Sequence, residues 1–364
     1  MPKSRFTVSV QMVASIVLAL VISQATYAAV FHCSSGDVDC LIDSINTANA
    51  NGEENTIILE AGIYSLTAVN NTGGGGPNGL PLVISTLTIK GAGAETTIIE
   101  RKASAPLFRL LFIRASGNLT LEGLSLRGGE GQGVGGALWN DGGTVTIVKS
   151  TLAGNRTVFS GGGIFSGNTR GTVNIINSTL ADNIVTLGEG GGIFNLGTLI
   201  ITNSTLSGNS AGSFGGGISN HSAFGAGGML TMTNSTLAGN TAATLSAKGG
   251  GLYNDGGTVT ITNSTLADNT APRGSTGGLV NVFLGTVGLQ NTILARNAMG
   301  LFDNSSDCSG PITSLGNNLL GNPTGCTIIL LPSDLTGDAG LGPFTDDGTP
   351  GHGHFPPAPW QPGD

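Results

Sequence analysis

The chain has 364 residues, of which 62 are glycine, while 10% are charged and 5% are aromatic. A mean hydropathy of +0.21 is too apolar for a disordered chain, and glycine without a Gly-X-Y triplet excludes collagen. The formal net charge of −8 disfavours nucleic acid as a partner, because phosphate binding requires clustered Lys and Arg. An array of short strands and tight turns fits this composition best.

Residues 1–28 predict a secretory signal peptide. Lys3 and Arg5 form a basic region, an apolar stretch follows, and small residues precede a cleavage point near Ala28. Gln11 and Ser15 interrupt the apolar stretch, which favours a cleaved signal over an uncleaved membrane anchor. Its removal changes the formal net charge from −8 to −10, because two basic and no acidic residues are lost. We expect no transmembrane segment in the rest of the chain.

Residues 29–84 predict an N-terminal cap and the first strands. The segment 39–49 has the pattern of a short amphipathic helix, with Leu41, Ile42 and Ile45 on one face. Such a helix would cover the open end of a stack of strands, where backbone groups are otherwise unpaired.

The four cysteines lie near the two ends of the chain. Cys33 and Cys40 follow the signal segment, and Cys308 and Cys326 lie in the last fifth. Four cysteines allow three connectivities, of which 33–40 with 308–326 closes two short loops, and export favours such disulfides. The competing interpretation is a four-cysteine metal site, although neither pair has the spacing usual for zinc.

Residues 85–298 contain one unit repeated at least six times. The unit reads Gly-Gly-x-apolar-aromatic-Asn, then a variable gap, then Gly-Thr-Val-Thr-Ile-x-Asn-Ser-Thr-Leu-x-x-Asn. This second half always spans twelve steps, whereas the segments around it vary in length. It begins at Gly143, Gly171, Gly197, Gly228, Gly257 and Gly285.

This pattern predicts an all-β fold, a right-handed single-stranded parallel β-helix with about three short strands per coil. The fixed segment must pair in register with its copies above and below, and the variable segments are turns that project outward. Val259 and Ile261 alternate with threonines, as in a strand. An antiparallel sandwich would not require near-identical residues at one offset in every repeat.

One Asn recurs at a single offset within the fixed segment. Stacked amides at this offset can hydrogen-bond along the axis, and Asn tolerates the left-handed backbone of a sharp corner. The Asn-Ser-Thr strings also match glycosylation acceptors, but one repeated corner explains them together. The residues are Asn177, Asn203, Asn234, Asn263 and Asn291, with Lys149 in the first copy.

The repeats GGGIFNLGTLIITNSTLSGN and GGGLYNDGGTVTITNSTLADN resemble the right-handed parallel β-helix repeats of bacterial exported proteins. Gly135-Gly136-Ala137-Leu138 and Leu206-Ser207-Gly208-Asn209 are similar to repeats of polymorphic outer-membrane proteins. The segment from Asn291 through Asp307-Cys308-Ser309-Gly310 to Leu341-Gly342-Pro343 resembles the choice-of-anchor Q domain. The resemblance implies export and surface or extracellular display, and it assigns no activity.

Carboxylate pairs suited to glycoside hydrolysis do not emerge from the repeats. Asp182 and Asp268 share an offset but lie three coils apart, roughly 14 Å at the usual strand spacing. Asp141 and Asp255 share another offset about four coils apart, and both pairs are interpreted as corner residues.

Other chemical motifs are equally sparse. The basic residues of the repeats are interpreted as solvated, because no acidic cluster accompanies them; they are Lys149, Arg156, Arg170, Lys248 and Arg273. His352 and His354 form an incomplete metal pair on a tail expected to be solvated. No Ser-His-Asp constellation stands out. We expect no cofactor and no metal, and catalytic residues remain unknown.

One column of aromatic residues is a candidate binding site. Trp139, Phe165, Phe194 and Tyr253 occupy one offset, with Ser219 and Val280 in other copies. If the preceding Leu and Ile residues face inward, alternation turns the rings outward into a stripe that could stack on sugar rings. The alternative is that the rings form the core.

The leading hypothesis is a secreted or surface-displayed structural or adhesive module whose partner is an extracellular polysaccharide or cell-surface component. The second hypothesis is a polysaccharide lyase or glycoside hydrolase of the pectate-lyase-like superfamily. We expect a monomer. The predicted organisation ends with a disulfide-bearing cap over 299–345 and a Pro/Gly-rich tail over 346–364.

Overall fold

The computed structural model describes residues 28–223, 227–272, 275–297, 306–347 and 349–358. In these ranges the chain forms a β-solenoid of about ten turns whose neighbouring strands pair in parallel, with one helix. This confirms the predicted parallel β-helix. The predicted signal peptide lies outside the described residues except for Ala28.

The central coils pass through four sheets, which we number I to IV in the order in which the chain reaches them, starting from the fixed repeat segment. Sheets I and II contain eleven strands each, sheet III five and sheet IV nine. The three longer sheets match the predicted three strands per coil. Sheet III, built from two-residue strands in the central coils, was not predicted.

The strands of sheet I are Val30–Cys33, Asn55–Leu59, Thr86–Lys90, Asn118–Glu122, Thr144–Val148, Thr172–Ile176, Thr198–Thr202, Met229–Thr233, Thr258–Thr262, Thr286–Gln290 and Thr313–Ser314. Those of sheet II are Gly62–Leu66, Thr97–Arg101, Ser125–Arg127, Thr151–Ala153, Thr179–Ala181, Thr205–Ser207, Thr236–Ala238, Thr265–Ala267, Ile293–Ala295, Leu319–Leu320 and Leu335–Thr336.

The strands of sheet III are Glu130–Gly131, Arg156–Thr157, Ile184–Val185, Ser210–Ala211 and Thr241–Ala242. Those of sheet IV are Leu111–Arg114, Leu138–Asp141, Ile164–Ser166, Ile193–Asn195, Ile218–His221, Leu252–Asp255, Leu279–Val282, Cys308–Pro311 and Cys326–Thr327.

The core runs through the centre of the solenoid. Val145, Ile147 and Leu152 are fully buried, and equivalent residues repeat in the neighbouring coils. Alternation within each strand therefore places one apolar column inside and one polar or mixed column outside.

A buried ladder of asparagines stabilises the turn after sheet II. The side-chain amide of each Asn donates to the carboxamide oxygen of the next, at 2.9–3.0 Å. Because each amide is fully hydrogen-bonded, its burial carries little penalty. The ladder consists of Asn155, Asn183, Asn209, Asn240, Asn269 and Asn297.

The asparagine column predicted at the corner between sheets I and II behaves differently. Its members adopt left-handed φ angles of 47–51°, as does Lys149 at 48°, which confirms the corner. The predicted amide ladder was wrong for most of this column: the described residues contain one such bond, from Asn291 to Asn263 at 2.7 Å. The axial bonds at this corner come instead from backbone amides to serine hydroxyls, such as Ser178 to Ser204 at 3.1 Å.

The N-terminal end is covered by helix α1, Val38–Asn51, which begins at the predicted place and extends slightly further. Asp37 caps it by accepting a hydrogen bond from the Cys40 amide at 2.9 Å, and Gly52 ends it in a left-handed conformation. Leu41 and Ile45 are fully buried on the face that packs into the core.

Both predicted disulfides are present. Cys33–Cys40 joins the first strand of sheet I to α1, and Cys308–Cys326 joins the last two strands of sheet IV. Among the described residues, no helix has the length and apolarity needed to span a membrane.

The Pro/Gly-rich tail is not simply solvated, which corrects the sequence-based expectation. Residues 341–347 pair back with residues 349–357, and the segment around Gly351 lies against the corner between sheets I and II. The Gly351 amide donates to Thr179 Oγ1 at 2.8 Å, and Thr205 Oγ1 donates to the Gly353 carbonyl at 3.3 Å. A Cβ on Gly351 would lie 2.4 Å from the Asn203 carbonyl oxygen, so close docking requires glycine there.

Candidate functional site

The outer face of sheet IV brings the predicted aromatic residues together. Leu138, Ile164, Ile193 and Leu252 are fully buried, so the residue after each one points outward. The outward residues lie in register from coil to coil. We call the rings at this offset the aromatic column: Phe112, Trp139, Phe165, Phe194 and Tyr253.

The rings of the column contact one another along the axis. Phe165 and Phe194 stack with centroids 5.1 Å apart and planes 17° apart, whereas Trp139 meets Phe165 edge to face at 5.5 Å and 83°. Phe112 meets Trp139 in the same way at 5.1 Å. Each such contact contributes about 0.5–1.5 kcal/mol beyond area burial. The stacked faces of Phe165 and Phe194 are thus turned toward each other, and their edges toward solvent.

Exposure is greatest in the middle of the column. Trp139, Phe165 and Phe194 are partly exposed, whereas Phe112 is fully buried and Tyr253 is 6% exposed. Tyr253 is covered by Phe214, which stacks on it at 4.6 Å. The accessible strip therefore covers three consecutive coils. Its predicted role in carbohydrate stacking remains a prediction.

His221 continues the column where Ser219 replaces an aromatic residue. Its ring lies 5.0 Å from Phe194 and 5.9 Å from Tyr253, so it fills the gap between them. His221 lies two residues after Ser219 on the same strand, at the next position whose side chain points outward.

Three polar groups converge on His221. Its Nε2 lies 2.6 Å from Glu189 Oε2 and 2.8 Å from Ser219 Oγ, and its Nδ1 lies 3.3 Å from Asp255 Oδ2. Ser219 Oγ also donates to Glu189 Oε2 at 3.0 Å. This cluster was not predicted from the sequence. The available signal was that His221 and Asp255 share an offset in adjacent coils.

The cluster contains the residue types of a Ser-His-Asp triad, but its geometry blocks nucleophilic attack. Ser219 is fully buried, and its hydroxyl already donates a hydrogen bond to the carboxylate of Glu189. An attacking serine must be open to the substrate carbonyl. The two carboxylates also do not flank an open space, because the imidazole lies between them, whereas glycoside hydrolysis needs room there for the glycosidic bond.

Tyr253 can act as a hydrogen-bond donor in this cluster. Burial, followed by the nearby carboxylates of Asp255 and Glu189, raises the pKa of its hydroxyl to about 12. The hydroxyl therefore stays protonated at neutral pH and does not serve as a base in the resting state.

The other carboxylates singled out from the sequence are not brought together. Asp268 pairs with Arg296 at 2.7 Å, while Asp182 lies three coils away, as predicted. Asp141 pairs in register with Arg114 and lies four coils from Asp255. The described residues contain no group of three or more His, Cys, Asp or Glu side chains arranged to hold a metal ion.

The N-terminal end of the aromatic column is closed by a glycine loop. Residues 73–76 are all glycine and lie directly over Phe112, Trp139 and the side chain of Arg109. The Arg109 guanidinium carbon lies 4.6 Å from the Trp139 ring centroid, a cation–π contact.

No protein-family model and no curated protein matches this chain. Among solved structures, the chain is similar to two A-modules of Azotobacter vinelandii mannuronan C-5 epimerases. For that of AlgE4 the TM-score is 0.44 at 16% identity, covering 83% of this chain and 90% of that one. For that of AlgE6 the TM-score is 0.40 at 12% identity, covering 83% and 94%. The similarity concerns the solenoid architecture, and no residue role is carried over from it.

Proposed function

We propose that this chain binds a polysaccharide along the aromatic column of sheet IV and acts as an extracellular or surface interaction module. The observation that carries the proposal is the strip of partly exposed rings at Trp139, Phe165 and Phe194, in register on three consecutive coils. A strip of this kind matches an extended ligand better than a compact one, because equivalent contacts repeat along the axis.

The chemistry of the strip suits a sugar chain. Ring edges carry partial positive charge, which favours contact with sugar oxygens, and the rings also offer apolar area for C–H groups. Asp141, Glu189, His221 and Asp255 lie beside the rings and are only partly buried. They supply the few polar contacts that orient a ligand on an otherwise apolar surface.

The two disulfides support an extracellular setting, since such bonds persist in oxidising compartments. We propose export through the signal segment 1–28. The proposed organisation remains a cap over 29–84, repeats over 85–298, a second cap over 299–345 and a tail over 346–364.

A binding screen on the mature chain tests this function. Neutral and acidic polysaccharides are offered to the wild type, to the Phe165→Ala/Phe194→Ala double variant and to Met229→Ala. Met229 is an exposed apolar residue on the outer face of sheet I, so it is the matched control. We expect a polysaccharide that binds the wild type and the control but loses at least about tenfold in affinity for the double variant. Equal affinity for all three folded proteins would contradict the proposal.

A second candidate function is polysaccharide cleavage, favoured by the convergence of Glu189, Ser219, His221 and Asp255. Such cleavage would use His221 for proton transfer, with the carboxylates orienting its ring. Formation of new reducing ends or unsaturated products would make cleavage the leading function if it is abolished in His221→Ala and retained in Asp182→Asn, an exposed aspartate away from sheet IV. Binding without product formation supports the interaction module.

A further inference from the structure

Arg109 carries a buried positive charge that the fold does not pair. The residue is 1% exposed, and its Nε and Nη1 atoms have no hydrogen-bond partner among the described residues. No carboxylate in the described part of the chain forms an ion pair with it. The Phe112 and Trp139 rings contact the guanidinium at 5.9 and 4.6 Å, which compensates the charge only in part.

A second unpaired donor lies beside it. Trp139 Nε1 is buried without a partner in the described ranges, and it belongs to the ring under the guanidinium. Buried polar groups are normally hydrogen-bonded, so unpaired donors on two contacting side chains are unusual. Burial lowers the pKa of Arg109 to about 10, so the group is still cationic at neutral pH. The pair therefore presents charged and neutral N–H donors without an acceptor.

The covering loop has no side chains to interfere. A Cβ on Gly74 would lie 2.1 Å from the Phe112 ring, and one on Gly76 would lie 2.5 Å from Arg109 Nη2. Asn78 holds this loop, because its Nδ2 donates to the carbonyl oxygens of Gly73 at 2.8 Å and Gly76 at 3.2 Å. The loop thus rests on the guanidinium with backbone alone, and access to Arg109 requires the two hydrogen bonds from Asn78 to break.

We propose that Arg109 and Trp139 Nε1 form a carboxylate-binding subsite at the N-terminal end of the aromatic column, beneath the loop 73–76. This rests on the proposed function and assigns its ligand class: a polysaccharide that contains uronate residues. A planar guanidinium matches a carboxylate in charge and shape. Binding requires the loop to lift, and the neighbouring exposed rings place the rest of the sugar chain along the column.

The test measures ligand-induced thermal stabilisation and affinity on the full mature chain. The probes are oligogalacturonate, a neutral galactose oligomer of equal length, sulfate and inorganic phosphate. We expect oligogalacturonate to raise the melting temperature of the wild type and the other three to leave it unchanged. A shift of equal size with sulfate or phosphate would overturn the carboxylate assignment, as would the absence of any shift.

Variants locate the effect. Arg109→Gln should lower oligogalacturonate affinity roughly 10- to 100-fold, the range expected for a charged hydrogen bond. The matched control is Arg114→Gln, since Arg114 lies 5.7 Å from the same Phe112 ring but is exposed. Equal losses in both variants would mean that general surface charge binds the probe, and the subsite would be wrong. If Arg109→Gln fails to fold, the comparison of the four probes on the wild type decides.

The outcome also separates this inference from the proposed function. If neutral oligomers bind and require Phe165 and Phe194, but uronate binds no more tightly, the proposed function is supported and the carboxylate subsite is contradicted. If uronate binding requires Arg109 but not Phe165 or Phe194, the carboxylate subsite is supported and binding along the aromatic column is contradicted.

Discussion

His221 lies in register with Asp255 on the neighbouring strand of sheet IV, with 3.3 Å between His221 Nδ1 and Asp255 Oδ2. On the opposite side, Glu189 approaches from the preceding coil. One imidazole therefore connects three consecutive coils on the surface that carries the aromatic column. Its ring also separates two carboxylates that would otherwise repel each other.

Two substitutions of His221 separate its packing from its polar contacts. His221→Phe keeps a ring between Phe194 and Tyr253, and we expect the free energy of unfolding to change by less than about 1 kcal/mol. His221→Ala removes both the ring and the hydrogen bonds, at a cost of about 1–3 kcal/mol. Chemical denaturation measures both. Equal destabilisation would show that the contacts to Glu189 and Asp255, rather than ring packing, stabilise this face.

Substitutions at two consecutive positions of sheet I test the inward and outward assignment. Ile201 is fully buried, whereas Ile200 is 37% exposed on the outer face. Ile201→Asp places an unpaired carboxylate in the core and should cost several kcal/mol, about the penalty for such burial. Ile200→Asp should change stability by less than about 1 kcal/mol.

Thermal melting of the two variants provides the readout. Because each coil stacks on the next, Ile201→Asp should also weaken neighbouring coils in hydrogen exchange. Similar melting temperatures for the two variants would contradict the register of this strand.

The repeats predicted the three longer sheets because their apolar residues recur at fixed offsets and alternate with outward-facing positions. Sheet III was not predictable in this way, since strands such as Arg156–Thr157 are too short for any periodic signal. Four rings of the aromatic column were predicted because they share an offset from the glycine pair, whereas Phe112 follows no such pair and was not predicted. Residue spacing along the chain did not predict the contacts of the return segments, because these segments vary in length.

The polar cluster around His221 and the burial of Arg109 were not predicted, because both depend on contacts that residue spacing does not reveal. Glu189 comes from a glycine-rich segment of variable length, so its position against His221 cannot be derived from spacing. Ser219 interrupts the aromatic consensus, which hides the fact that His221 restores the ring. Arg109 lies in a degenerate early coil, and its burial depends on a loop more than thirty residues earlier in sequence.

Reduction of the disulfides should loosen the ends of the solenoid before its centre. Each bond closes a short loop, with sequence separations of 7 and 18. On the chain-entropy model, loops of this size contribute about 2–3 kcal/mol each. Hydrogen exchange after reduction should therefore increase first near α1 and in the last strands of sheet IV.

Paired cysteine variants provide the control for that experiment. Cys33→Ser/Cys40→Ser should affect the N-terminal coils alone, and Cys308→Ser/Cys326→Ser the C-terminal coils alone. Uniform loss of protection across the chain in either variant would contradict independent stabilisation of the two ends.

For two aspartates near the C-terminal end, we expect contributions to the free energy of unfolding that change in opposite directions with pH. Asp307 ends the buried asparagine ladder, accepting from the Asn297 amide at 2.7 Å and from its Nδ2 at 3.0 Å. Burial raises the pKa of Asp307 above its usual 3.8, and hydrogen bonds from Asn297 and Asn322 oppose that shift only in part. Burial alone would raise the pKa of Asp334 as well. Hydrogen bonds from Ser314, Asn318 and Leu331 outweigh that effect, so the pKa of Asp334 is lowered.

The sign of each effect follows from proton linkage. The raised pKa of Asp307 means that the folded state binds its proton more tightly, so its contribution to stability is complete below pH 3.8 and is lost as pH rises through the folded pKa. The lowered pKa of Asp334 gives a contribution that is present above pH 3.8 and is lost as pH falls through the folded pKa. Unfolding free energies of the wild type, Asp307→Asn and Asp334→Asn measured across acidic pH test both. On acidification the wild type should gain stability relative to Asp307→Asn and lose it relative to Asp334→Asn, and two differences of the same sign would contradict the assigned environments.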